Sequence, residues 1–134
     1  MLYERASDKL VHLIEETSFG PGGFSDWTLW MEIWVRARRD ASVRESYFKL
    51  DRRQRTLIAD IVREGQEAGE FGADADADAF AIALSGLMDG LGVQITLGQP
   101  DVGPERMISI CLALASSELE CDLRATGRAE AGSK

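Results

Sequence analysis

The sequence is short of the residues from which enzyme and metal sites are built. It holds one histidine, His12, and two cysteines, Cys111 and Cys121. A zinc motif would need a second histidine, and neither cysteine has a histidine at motif spacing. No glycine-rich phosphate loop follows a strand, and no G-x-S-x-G elbow is present. Acid–base and nucleophile partners are therefore missing, so an enzyme, a metal site and a bound cofactor are all unexpected. The two cysteines lie ten residues apart in or near one predicted helix. That is about 15 Å of axial rise, too far for a bridge within the helix. Reduced thiols, and an N-terminus without a charged segment followed by an apolar run, lead us to expect a cytoplasmic protein. Prolines number three and no alternating strand pattern of useful length occurs, which favours an all-α chain. Positive charge is scarce as well. A net charge of −8 repels a polyanion, so non-specific affinity for DNA or RNA through this segment is not expected. Residues 36–55 depart from this with eight basic against three acidic side chains. Without an aromatic ladder or a groove-reading motif, that window reads as the solvated face of a long helix.

Charge is almost absent from the stretch that organises the chain. Residues 78–98 read DAFAIALSGLMDGLGVQITLG, and between Ala79 and Pro100 only Asp89 is charged. Phe80, Leu84, Leu87, Leu91 and Ile95 form a bulky stripe at helical spacing. Ala79, Ala83, Gly86 and Gly90 form a small-residue stripe about 100° away. A helix apolar on most of its circumference, in a chain of 134 residues, is expected to be shared between a core and a partner. Ser85, Asp89, Gln94, Thr96 and four glycines make a poor membrane span, so no membrane partner is expected.

In chain order, residues 2–16 predict a first helix with Leu2, Ala6, Leu10 and Leu13 on one face and no capping residue before it. Gly20, Pro21, Gly22 and Gly23 break the chain. A second helix from about Asp26 to Arg39, capped by Ser25 or Asp26, carries all three tryptophans. Trp27, Trp30 and Trp34 are spaced i, i+3, i+7 and line one side, with Met31 and Val35 beside them. They fill a core or wall a cavity. In the second case Glu32 and the rings would hold a lipophilic cation. The third helix opens on the capping box Ser42-Val43-Arg44-Glu45. Its apolar face carries Val43, Tyr47, Leu50, Gln54, Leu57, Ile58, Ile61 and Val62, and Gly69 stops it. Gln54 there is a partnered polar group or a ligand contact. Asp74, Asp76 and Asp78 lack the glycine and glutamate of a calcium loop and read as acids at the N-terminus of the fourth helix. Pro104 opens the fifth, on which Ile108, Leu112, Ala115 and Leu119 align. His12 is a partly buried helix residue near Trp27 or Trp34, or a ligand's hydrogen-bond partner. Asp89 is functional, faces solvent or meets an arginine across an interface.

Taken together, residues 30–39 (WMEIWVRARR), Asp40, Val43 and Arg44, then Gly69-Glu70-Phe71, then residues 83–91 (ALSGLMDGL) resemble a known family. It is the C-terminal, ligand-binding and dimerisation domain of TetR-family bacterial transcriptional regulators, in the subgroup typified by the choline-responsive repressor. The resemblance covers nearly all of the chain. It implies a five-helix all-α domain over residues 1–124, and the tail over 125–134, small and polar, is expected to be disordered. It also implies a homodimer whose last two helices form a four-helix bundle with their copies, and a small-molecule effector held between the earlier helices. The implied ligand is small and largely apolar, with a cation as one option, and its cavity lining is Trp27, Trp30, Met31, Trp34, Phe48, Leu87, Met88 and Leu91. The implied dimer seam is Ala83, Gly86 and Gly90 with Ile108, Leu112, Ala115 and Leu119, the rotation of the fourth helix being left open. DNA binding would belong to an N-terminal helix-turn-helix domain that has no counterpart in these residues. The competing reading is a stand-alone helical dimerisation module with no ligand.

Overall fold

The computed structural model describes residues 5–20 and 26–125. The expected helix start at Leu2, the Pro21-Gly22-Gly23 break, Ser25 as a cap and the tail beyond Ala125 lie outside the described residues. Five helices follow in order: α1 (Ala6–Phe19), α2 (Thr28–Ala37), α3 (Ala41–Glu67), α4 (Ala77–Thr96) and α5 (Pro104–Leu119). No strand occurs among the described residues.

The helix ends show how local chemistry sets these bounds. Asp40, rather than Ser42, caps α3: its carboxylate accepts from the Ser42 and Val43 N–H groups at 3.0 and 3.3 Å. The helix therefore begins at Ala41, one residue before the expected capping box. Asp76 caps α4 in the same way, accepting from Ala79 N–H at 3.0 Å. Pro104 stands in the first turn of α5, where a missing N–H removes no helix bond.

The Gly69-Glu70-Phe71 turn is where each residue type has a separate physical task. Gly69 sits at φ 76°, a left-handed conformation that lets the chain leave α3. Phe71 is buried, and its ring lies where a Cβ on Gly65 would stand, so Gly65 makes room for it. Glu70 supplies the cap that α1 lacks locally. Its carboxylate accepts from the Ala6 and Ser7 N–H groups, both at 3.1 Å, and from the Ser7 hydroxyl at 2.8 Å. Arg5 adds an ion pair at 3.4 Å. Burial pushes the Glu70 carboxyl up, but the Ser7 and Ala6 hydrogen bonds and the Arg5 charge together hold it below its ordinary value.

The core is arranged about α4, which packs against each of the other four helices. Its length and hydropathy match a membrane span, yet the apolar surface of Phe80, Leu84, Met88 and Leu91 is spent inside the protomer. Leu10, Ile14, Ile58, Val62, Met107 and Cys111 complete the interior. The expectation for α5 requires correction here. Ile108, Leu112, Ala115 and Leu119 are at most 5% exposed and face the protomer's own core, so they are not available to a second copy. The outer face of α5 carries Arg106, Ser109, Ala113 and Ser117 instead. On α4, Ala83, Gly86 and Gly90 are exposed, and a Cβ built on either glycine meets nothing within 4 Å among the described residues.

Candidate ligand-binding site

Between α2, α3 and α4 lies a cavity of about 520 Å³, within the range of small-molecule sites. The tryptophan stripe of α2 forms one wall. Trp27 is fixed first, because its backbone N–H donates to Thr96 Oγ at 2.7 Å and its ring lies over Gly92, where a Cβ would collide with it. One and two turns on, Trp30 and Trp34 follow on the same face. Across from them Tyr47 of α3 meets both rings edge-on, with centroids at 6.5 and 6.4 Å and planes at 64° and 79°. This is the edge-to-face geometry that aromatic quadrupoles favour.

Carboxylates stand beside these rings. Asp51 follows Tyr47 by one turn and pairs with Arg55 at 2.8 Å. Asp89 projects from α4, and among the described residues no lysine or arginine pairs with it. Burial pushes the Asp89 carboxyl up to about 6, the neighbouring Asp51 charge adds to this, and a hydrogen bond from Trp27 acts against both. The Tyr47 hydroxyl is raised as well, by burial and then by the charges of Asp51 and Asp89, with Arg55 opposing. Two like charges thus share one partly desolvated space. Ser85, Met88, Leu50, Arg53, Gln54, Leu57 and Thr17 complete the lining. Negative charge among aromatic faces is the arrangement that attracts a cation, each ring contributing about 0.5–2 kcal/mol according to its desolvation.

Of the lining expected from the sequence, the structure brings Trp27, Trp30, Trp34 and Met88 together. Four residues fall elsewhere. Met31 turns to a shallow groove shared with Glu32, Val35 and Leu97, so Glu32 does not face the tryptophan cavity either. Phe48 is 48% exposed and flanks Tyr47 without lining the space. Leu91 is in the core and Leu87 packs against it. His12 lies in the adjoining groove between α1 and α3, with Lys9, Glu16, Asp60 and Glu64. Periodicity alone does not assign Tyr47, Asp51 and Ser85 to the cavity, although the i, i+4 pairs Tyr47/Asp51 and Ser85/Asp89 are visible signals of polar groups on otherwise apolar faces.

The comparisons with known proteins agree with this architecture. The family profile described as BetI-type transcriptional repressor, C-terminal, matches residues 6–120. A protein from Saccharomonospora viridis, assigned as a transcriptional regulator and solved in complex with choline, is 30% identical with a TM-score of 0.80. The alignment covers 87% of this chain and 61% of that one. A second such regulator, from Pseudomonas aeruginosa PAO1, is 25% identical with a TM-score of 0.74, over 86% of this chain and 55% of that one. The chain thus spans less than two thirds of either neighbour. No curated protein matches it.

Proposed function

We propose, for a chain that belongs to the BetI-type transcriptional repressors as their C-terminal regulatory domain, that the tryptophan-lined cavity binds a small organic cation of the quaternary ammonium class. The family and the structural neighbours are transcriptional regulators, not enzymes. The observation that carries the reading is Asp89: a half-buried carboxyl, without a cationic partner among the described residues, facing Trp27, Trp30, Trp34 and Tyr47. Isolated, such a charge is unfavourable. A permanent cation stabilises it and gains the ring faces at the same time. The choline bound by the Saccharomonospora viridis neighbour is of this chemical class and supports the reading.

Thr17 of α1 lines the same cavity, so a ligand there touches the helix whose N-terminus Glu70 holds. Occupancy is proposed to select one position of α1, and with it one arrangement of the DNA-reading domains attached to a dimer. The dimer seam is proposed on the outer face of α4, at Ala83, Gly86 and Gly90, with the small outer residues Ser109 and Ala113 of α5 beside it.

Titrating the chain with choline at pH 8 while following tryptophan emission tests the cavity. Saturable quenching is expected, and Trp30→Ala removes the response while the subunit stoichiometry is unchanged. Absence of any response in the wild-type chain, with choline in the millimolar range, would return the domain to a purely structural role.

A further inference from the structure

A serine buried in a helix ordinarily donates its hydroxyl to the carbonyl four residues earlier. Three other helical hydroxyls of this chain, the buried Ser18 among them, do so. Ser18 donates to Ile14 O at 2.7 Å, Thr96 to Gly92 O at 2.8 Å and Ser109 to Glu105 O at 3.1 Å. Ser85 does not. It is 8% exposed, lines the cavity, and its Oγ has no hydrogen-bond partner among the described residues. A buried hydroxyl left without a partner costs about 1–3 kcal/mol, and a ligand group that satisfies it recovers that cost on binding. Ser85 stands one helical turn before Asp89, about 6 Å along the axis, with both side chains on the cavity wall. The cavity also has room for a substituent beyond a bare trimethylammonium head.

We infer that Ser85 is a specificity-determining residue, which hydrogen-bonds a hydroxyl or similar polar group carried on a short chain from the ligand's cationic centre. This rests on the cation-binding reading above and narrows it from any lipophilic cation to one with a polar arm. The physical basis is asymmetry. A site built around a hydrogen bond rejects the analogue that lacks the group, because the protein's own polar atom is then left buried and unpaired.

The experiment compares ethyltrimethylammonium with its 2-hydroxyethyl analogue, by calorimetry at pH 8, on the full chain. The wild-type chain is expected to bind the hydroxylated probe about three- to tenfold more tightly, as one net hydrogen bond implies. Ser85→Ala, which suits a helix interior, removes the preference by weakening the hydroxylated probe alone. Ser85→Thr keeps a hydroxyl and retains the preference. Equal affinities in the wild-type chain, or a preference that survives Ser85→Ala, overturn the role of Ser85 and leave the cation site standing. Failure of both probes to bind overturns the cation reading and this inference together.

Discussion

Replacing Asp89 with asparagine separates what the half-buried carboxylate costs the fold from what it gives a cationic ligand. The rise from the ordinary 3.8 to about 6 corresponds to about 3 kcal/mol for a fully buried carboxyl, at 1.36 kcal/mol per pH unit. This carboxyl is partly exposed, and solvent screening reduces the figure to about 1–2 kcal/mol. The sign follows from proton linkage. Between 3.8 and about 6 the folded chain holds the Asp89 proton more tightly than the unfolded chain does. Stability from this group is therefore fully present in acid and falls as pH rises through 6. Asp89→Asn keeps the shape and removes the charge. At pH 8 the variant is expected to be more stable than the wild-type chain by about 1–2 kcal/mol, a rise in Tm of about 4–7 °C for a domain of this size. At pH 4 the difference nearly vanishes. Cation binding changes in the opposite direction, with affinity for choline at pH 8 falling by about tenfold or more once the counter-charge is gone. In the wild-type chain the same affinity falls as pH drops below 6 and levels off near that of the variant once protonation has removed the charge. Urea denaturation at pH 8 and pH 4, paired with calorimetry, checks both halves. A variant that is destabilised at pH 8, or that binds choline as tightly as the wild-type chain, refutes the reasoning.

Two further predictions concern the elements around the cavity. Glu70→Ala removes the acceptor for two backbone N–H groups and the Ser7 hydroxyl at the start of α1. A loss of about 1–2 kcal/mol is expected at pH 7. Because the Glu70 carboxyl is held below its ordinary value, its contribution is present at neutral pH and lost in acid, so urea curves of variant and wild-type chain converge at low pH. Gly86→Arg places a charged side chain in open space on the protomer, where none of the described residues lies within 4 Å of the new Cβ. Sedimentation should then show monomers with unchanged helicity, and a variant that remains dimeric would move the seam off this face of α4.

The five helices and their order are legible in the sequence because the signals are local: prolines, glycines, acidic caps and 3.6-residue periodicity. Where the reading of α5 went astray, the cause is its composition. Residues 107–117 carry no charge, so nothing in the sequence distinguishes the side that meets the protomer's core from the side left outside. Ile108 and Leu112 form a true stripe and point inward. On α4 the small stripe at Ala83, Gly86 and Gly90 is the outer one, which only packing decides. The tryptophan wall is visible in advance, since three large rings at i, i+3, i+7 share a face. The opposing wall is not. Tyr47 and Asp51 come from α3 and Asp89 from α4, and no periodicity within one helix reports which carboxylate will meet which ring. Glu32 is nearest to the rings in sequence and faces away from the cavity in space. The cap of α1 is concealed for the same reason, since Glu70 reaches Ala6 across 64 residues of chain.

The proposed function places a cation among Trp30, Trp34, Tyr47 and Asp89. A crystal structure of the chain at pH 8 with tetramethylarsonium, an isostere of tetramethylammonium, tests it directly, because anomalous scattering locates the arsenic without reference to the rest of the density. One arsenic peak per protomer, over the faces of these rings and beside the Asp89 carboxylate, is the predicted result. A cavity empty at saturating arsonium, or a peak confined to another surface, would contradict it.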